Sequence, residues 1–419
     1  MPKNSLALKP PSTSRSRSTP SISVASVGQQ GLSTPSPVPQ PKSPRTLRLS
    51  LIPTSVDNNQ LRKFLGGLEY ESQPPKENIL ALSLAPFVDW LVATVSFSQE
   101  PLIFLRCTTG RSLSLPLPPE LGGSTINVDC DFYGITPLYH PPSKPTYDVI
   151  AVSGLSSHAF GSWKSPQNSH VMWLRDILQL DFPDFRVLTW GYESDLRDGT
   201  NDSTIADFSR QLLTAVHTAR DDDSEGKTRP VVFVGHDLGG LIIKHALVEA
   251  AQGSSEDDQA IMRCCVGIFL FGVPNRGLNN GYLLSLVKGR KNEALVQNLM
   301  ESSALLNNLH IAFQRSYKSS LKYCFVASFF ETRDTNTVEL PDGSWSRSGE
   351  PIRVVTRESA TGFAPEEEAH NQIAIVADHS KLVQFKGRDD ANYLHVRAKL
   401  KEMVRRTPKI LQMRTGDGI

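Results

Sequence analysis

No stretch of this chain is apolar for long enough to cross a bilayer as a helix, and its start lacks the apolar core of a secretory signal. Neither sign of charge is in excess: 44 Lys and Arg face 43 Asp and Glu over 419 residues. That balance gives no basis for nucleic acid or an acidic substrate as a bulk partner. Cysteine is scarce, with five residues at 107, 130, 264, 265 and 324, no C-x-x-C and no histidine at ligand spacing. A disulfide framework is therefore not expected, and a reducing compartment fits better. Cys264 and Cys265 lead an apolar strand, where free cysteine behaves as a small hydrophobe. There is no internal repeat and no G-x-x-x-x-G-K-[ST] phosphate loop, so nucleotide hydrolysis is not expected, nor any cofactor or metal.

Acidic residues are missing altogether before Asp57. Residues 1–45 are rich in Ser, Pro, Thr and Gln, carry Lys3, Lys9, Arg15, Arg17, Lys42 and Arg45, and hold too little apolar surface to offset chain entropy. A disordered tail is expected. Basic, Ser-rich and acid-poor is also a transit-peptide composition, but the prolines work against an amphipathic helix. The expected location is cytoplasmic, with mitochondrial or endoplasmic-reticulum association as the alternative.

From Thr46 the pattern changes. Leu47–Pro53 alternates like a strand, Val56–Leu68 reads as a helix opened by Asp57 and closed by Gly66-Gly67, and Ile79–Leu84 and Trp90–Phe97 read as strands. This β-α-β-β order over 46–106 resembles the first half of an RNA-recognition-motif-like ferredoxin fold. Ser50 and Thr94 stand where base-stacking rings would be needed, so an accessory α+β module is expected and nucleic acid is not. Residues 107–146 read as a connecting segment with one short strand near Ile126-Asn127-Val128.

Over 147–406 strands and helices alternate. Strands are expected at Tyr147–Val152, Phe185–Trp190, Val231–Val234, Val266–Phe271, Tyr323–Phe330 and Ile352–Thr356, and helices at Met172–Leu180 and Ile205–Arg220. The spacing implies an α/β domain with a mostly parallel sheet covered by helices on both faces, followed by a tail at 407–419. Within it, V-V-F-V-G-H-D-L-G-G (231–240) runs a buried strand into a glycine-flanked turn and straight into a helix. That is the nucleophile elbow of an α/β-hydrolase fold, G-x-Nuc-x-G, with Gly235 and Gly239 allowing close backbone approach. The tip is normally serine; here it is Asp237.

Five segments carry a further resemblance: A-V-S-G-L-S-S-H-A-F-G-S-W-K (151–164), W-L-R-D-I-L (173–178), G-H-D-L-G-G-L-I-I-K (235–244), F-G-V-P-N-R-G-L-N (271–279) and A-D-H-S-K-L-V-Q-F (377–385). With them the chain resembles fungal lipase-like α/β-hydrolase proteins. These often form the N-terminal module of NLR-type receptor-like proteins and are related to a serine active-site-containing lipid-remodelling family. Relatives of that kind usually continue into a nucleotide-binding domain, so a stand-alone or truncated version is expected. The resemblance implies a nucleophile position at Asp237, a general base at His379 and an orienting acid at Glu331, with Asp334 and Glu358 as other candidate acids. Oxyanion-hole N–H groups would come from Leu155 and Leu238. His236, His158 and His245 are expected to be structural, Asn275 and Arg276 to shape a loop, and Trp163 and Trp173 to pack.

A carboxylate at the elbow changes the chemistry. On an alkyl carbon it can form an ester that activated water opens, as in epoxide hydrolases and haloalkane dehalogenases with G-H-D-W-G. On an acyl carbon it would have to form an anhydride. Leu238 stands where a halide-binding tryptophan would be, and Tyr282 and Tyr317 are the candidates for a cap-domain tyrosine pair. The primary expectation is a catalytically altered or inactive hydrolase fold serving as a binding or signalling module, with a protein partner. The alternatives are an Asp-nucleophile hydrolase and a residual ester or lipid hydrolase acting on a small molecule.

Overall fold

The computed structural model describes residues 44–415 apart from 198, 222–224, 280, 341–344 and 365–366. The expected tail lies outside the described residues except for Pro44 and Arg45, and 416–419 lie outside them as well.

The chain begins with β1 (Thr46–Ile52), α1 (Asn58–Gly66), β2 (Ile79–Phe87), β3 (Trp90–Phe97), β4 (Leu113–Pro116) and β5 (Thr125–Asp129). Helix α1 starts where Asp57 and Gln60 cap each other's backbone N–H groups, both at 2.8 Å. The five strands form one antiparallel sheet in the order β2-β3-β1-β5-β4. One face holds Leu47, Leu49, Val95 and Phe97 against Leu61 and Leu65 of α1. Residues 107–146, read as a connection, thus supply two strands to this sheet and a third, β6 (Gly134–Tyr139), to the next. The four-residue β4, half exposed and proline-ended, carries too weak an alternation to stand out in the sequence.

The second sheet contains β6, β7 (Tyr147–Val152), β8 (Phe185–Gly191), β9 (Val231–His236), β10 (Cys265–Phe271), β11 (Phe325–Glu331) and, after the two-residue strands β12 (Thr335–Asn336) and β13 (Pro351–Ile352), β14 (Gln372–Ile375). Its order is β14-β11-β10-β9-β7-β8-β6, parallel throughout except for antiparallel β6 at one edge. The period-2 alternation of these strands divides the core. Ile150, Val152, Phe233 and Leu270 face helices that include Ile205–Asp221, Leu238–Gln252 and Ala304–Ser319. Val149, Ala151, Val234 and Phe271 face Trp173–Asp176, Leu178–Asp181 and the long helix Ala391–Thr415. Both faces are covered, as an apolar parallel sheet requires.

Three readings from sequence need correction or extension. Ile352–Thr356 does not enter the main sheet: Pro351 lacks an N–H, and β13 pairs only with β12. Gln372–Ile375 takes the edge position instead. Met172–Leu180 is two short helices broken at Ile177. The final helix runs through 407–415, with Pro408 inside it, where a tail was expected.

The accessory sheet lies against this domain through its polar face. Arg48 bonds Asp129 (2.8 Å) and Thr136 of β6 (2.9 Å). Arg175, 2% exposed, bonds Thr94 (3.0 Å) and Asp176 (2.7 and 2.8 Å) and lies over the Phe160 ring. The Thr94 position considered for base stacking is therefore buried against Arg175.

Candidate active site

At the end of β9 the backbone turns sharply. Asp237 has φ 49° and ψ −125°, a strained conformation for a residue with a side chain, and it stands directly before the helix Leu238–Gln252. A Cβ at Gly239 would lie 2.3 Å from the carbonyl oxygen of Val152, and one at Gly235 would lie 2.7 Å from Gly240 Cα. Both contacts are with backbone, so no side chain can yield, and glycine is required at each place. The turn is pinned by Asp237 N–H donating to Phe271 O at 3.0 Å.

The Asp237 carboxylate meets two elements distant in sequence. From the loop after β7, the Leu155 N–H donates to its Oδ2 at 2.9 Å. From the 3-10 turn after β14, His379 Nε2 lies 3.6 Å from its Oδ1, beyond hydrogen-bonding reach. On the far side of that imidazole, Nδ1 lies 3.2 Å from Glu331 Oε2, at the end of β11. Asp237, His379 and Glu331 are 6%, 8% and 1% exposed, so water screens this line of charges poorly. Leu238 is the first residue of its helix, among the N–H groups that no helical partner takes. The structure thus brings together Asp237, His379, Glu331 and Leu155, with Leu238 at the helix start.

The other candidate acids stand elsewhere: Asp334 pairs with Arg353 at 2.9 Å, and Glu358 is exposed. Tyr282 is 46% exposed on the short helix Gly281–Val287, and Tyr317 OH donates to Cys324 O, so neither lines the site.

Protonation follows from burial and charge. Burial opposes a charge on His379, but the Glu331 and Asp237 carboxylates outweigh it and lift its pKa to about 10. Burial alone would raise Asp237, yet the His379 contact, the His236 ring and the Leu155 N–H bring it down to about 2. His236 is driven down to about 4 by burial, with repulsion from His379 beside it. Neutral His236 donates Nε2–H to His379 O at 3.1 Å, because a carbonyl can only accept. Both shifts favour the charged forms of Asp237 and His379.

Supports that the sequence did not single out complete the site. Thr335 Oγ1 accepts the His379 N–H at 2.9 Å, and the Val355 N–H donates to Glu331 Oε1 at 2.9 Å. Thr335 belongs to a two-residue strand with no pattern to read, and Val355 lies in a stretch read as a sheet strand rather than as a support for Glu331. Of the residues expected to be structural, His158 accepts the Gly161 N–H (2.9 Å) and bonds Cys130 O (2.7 Å), and His245 pairs weakly with Glu249 (3.8 Å). Asn275 bonds Lys244 and Ser359 O, each at 3.0 Å, and Trp163 packs edge-on to Trp173. A cavity of about 470 Å³ opens onto Asp237 and His379, with Leu155, Leu278, Leu283, Val354 and Trp345 among its walls and Arg347 at an exposed position. That is the size of a small-molecule site.

Strand order, elbow and this charged row define a lipase/esterase-like α/β-hydrolase domain whose elbow residue is aspartate. No family model matches the chain. It is similar to the protein SERAC1 of Bos taurus, 28% identical over 164 residues, which is 35% of this chain and 24% of that protein. It is 26% identical to SERAC1 of Homo sapiens over the same shares. The chain thus spans about a quarter of the length of these curated relatives. Among solved structures, it is similar to the mature Bacillus licheniformis lipase BlEst2 (TM-score 0.37, 15% identity, 64% of this chain and 96% of that one). It is also similar to the phospholipase PlaB of Legionella pneumophila (TM-score 0.45, 13% identity, 65% and 64%). Strand order and elbow, not these scores, define the fold. No helix among the described residues is long and apolar enough to cross a membrane.

Proposed function

We propose that this domain is a catalytically altered hydrolase pocket that binds an ester-like or lipid-like small molecule without turning it over. One observation carries the reading: the Asp237 carboxylate takes the Leu155 N–H at 2.9 Å and lies 3.6 Å from His379 Nε2, where its charge favours the protonated ring. Acyl transfer needs a free hole donor for the developing oxyanion and a neutral base to strip the nucleophile's proton. Here a single carboxylate occupies the first and suppresses the second. The resemblance to lipid-remodelling and NLR-associated fungal relatives supports a lipid ligand and a protein partner in a signalling role. A cytoplasmic setting is the default for a chain of this composition, and the resemblance to lipid-remodelling relatives supports mitochondrial or endoplasmic-reticulum association as the alternative.

A second reading keeps turnover. Asp237 Oδ1 accepts no hydrogen bond, and once uncovered from its buried place beside His379 a carboxylate oxygen could attack an alkyl carbon. The carbon–oxygen bond of an epoxide or the carbon–halogen bond of a haloalkane would break as the ester forms. Loss of the Asp237 charge would then lower the His379 pKa and free it to deprotonate water, which would attack Cγ. That route needs a donor for the leaving group, and Tyr282 and Tyr317 are both away from the cavity. The binding reading is the better supported of the two.

The test is a panel of short acyl esters, epoxides and haloalkanes on wild type, Asp237→Ser and Asp237→Asn, with intact-mass analysis. Wild type is expected to be inert, and Asp237→Ser to gain hydrolysis of short esters. Wild-type turnover lost in Asp237→Asn, or an alkyl mass increment on Asp237, would establish the second reading instead. A folded but inert Asp237→Ser would show that the supporting site is misassigned.

A further inference from the structure

We infer that Cys265 and Cys324 form a redox modification site, a thiol pair that a hydroperoxide closes into a disulfide. Both cysteines are free and buried, and their Sγ atoms lie 3.9 Å apart, in van der Waals contact. Neither is held in the ladder between β10 and β11, which begins only at Gly267 and Phe325. Cys265 stands where the pairing of β10 with β9 shifts register. Cys324 follows Tyr323, a left-handed residue with φ 73°, and precedes β11. Side-chain rotation with a small shift at these strand ends brings the sulfurs to the roughly 2.05 Å of a bond. Cys264 is engaged elsewhere, its S–H donating to Lys227 O at 3.2 Å. Cys107 and Cys130 also stand side by side, but burial pushes both up, Cys130 to about 12, so neither is a ready thiolate.

The surroundings favour Cys324 as the attacking thiol. Arg414, near the end of the last helix, donates to the carbonyls of Cys265 at 2.7 Å, Arg263 at 3.2 Å and Leu321 at 3.3 Å. Its guanidinium thus spans the two segments that carry the thiols. Burial opposes a thiolate at Cys324, but the Cys265 S–H and this guanidinium outweigh it and bring its pKa down. The same contact, with burial, pushes Cys265 up, so Cys265 keeps its proton. A cavity of about 380 Å³ reaches Cys324, with Tyr323, Met413, Arg406, Glu367 and Glu368 also on its walls, and admits a small oxidant. The Cys324 thiolate attacks one oxygen of hydrogen peroxide. The S–O bond forms as the O–O bond breaks, and the departing hydroxide takes up a proton as water. The Cys265 sulfur then displaces the sulfenic hydroxyl. The S–S bond forms as the S–O bond breaks, and the Cys265 proton leaves with that hydroxyl as a second water. Two thiols are oxidised and one peroxide is reduced. The bridge closes 266–323 into a loop, a segment that includes Leu278 and Leu283 of the Asp237 cavity.

For the test, the full chain is reduced, freed of reductant, treated with hydrogen peroxide and alkylated in denaturant. Its tryptic peptides are then mapped by mass spectrometry without reduction. A link between peptides 264–276 and 323–333 is expected, reversed by dithiothreitol. Its mass should lie about 2 Da below the sum of the two free peptides. Because Cys264 shares the first peptide, Cys264→Ser should keep the link and Cys265→Ser should lose it. The melting midpoint of the oxidised chain should rise by about 2 °C or more over the reduced one, and that of peroxide-treated Cys324→Ser should not. Alkylation of all five cysteines after treatment, a bridge between Cys107 and Cys130 in its place, or a sulfinic acid on Cys324 without a link would each overturn the inference. So would a link that survives Cys265→Ser. A midpoint that does not rise as the bridge forms would overturn it too, by showing that the pair closes only through distortion of the fold. The wild-type map decides the question even where a variant misfolds.

Discussion

Asp237 stands at the tip of the elbow and meets both the Leu155 N–H and the His379 ring. Its carboxylate and that of Glu331 keep His379 charged, so removing one should be visible directly on the imidazole. Asp237→Asn is expected to lower the His379 pKa from about 10 by at least about one pH unit, followed by NMR titration of the ring. An unchanged pKa would mean that Glu331 alone sets it. The same shifts give a pH window for stability. His379 sits above its ordinary 6.5, so its contribution is fully present below about 6.5 and is lost as pH rises through about 10. Asp237 sits below its ordinary 3.8, so its contribution is present above about 3.8 and is lost as pH falls through about 2. Thermal melts should therefore show the largest advantage of wild type over Asp237→Asn between those two ordinary values, shrinking toward pH 10. A gap that widens in alkali would contradict the sign.

At the scale of elements, the elbow is the part most constrained by geometry. Gly239 cannot accept a Cβ because the Val152 carbonyl is backbone of a central strand and has nowhere to go. Gly239→Ala is expected to destabilise the domain by on the order of 2–3 kcal/mol in urea denaturation, the range for overpacking a tight site. A loss below about 0.5 kcal/mol, the scatter of neutral surface changes, would mean that the turn relaxes. The elbow was legible in sequence because its cause is local: a buried strand, two glycines and an apolar helix in unbroken succession. The stretch Ile352–Thr356 was misread for the opposite reason. Its apolar residues look like a sheet strand, but Val355 gives its N–H to the Glu331 side chain rather than to a ladder. Nothing within the stretch reveals that partner.

For the whole molecule, the described residues from Pro44 onward belong to one compact unit, and the accessory sheet meets the hydrolase domain through buried polar groups. Arg175 ties Thr94, Asp176 and the His170 carbonyl together while 2% exposed. Arg175→Ala is expected to cost on the order of 2 kcal/mol, because buried Thr94 and the His170 carbonyl lose their hydrogen-bond partner. Calorimetry of the wild type should show a single transition for both sheets, and two well-separated transitions would contradict the shared interface. The alternating α/β plan and the elbow with its aspartate tip are legible in the residues alone, and the resemblance pointed to His379 and Glu331 as its partners. Which groups surround that aspartate comes from the tertiary packing alone. The Leu155 N–H reaches it from 82 residues away, and the His379 imidazole meets Glu331 across 48. Strand and turn preferences arise between near neighbours, whereas the state of a buried charge is set by whichever groups folding brings within a few ångströms of it.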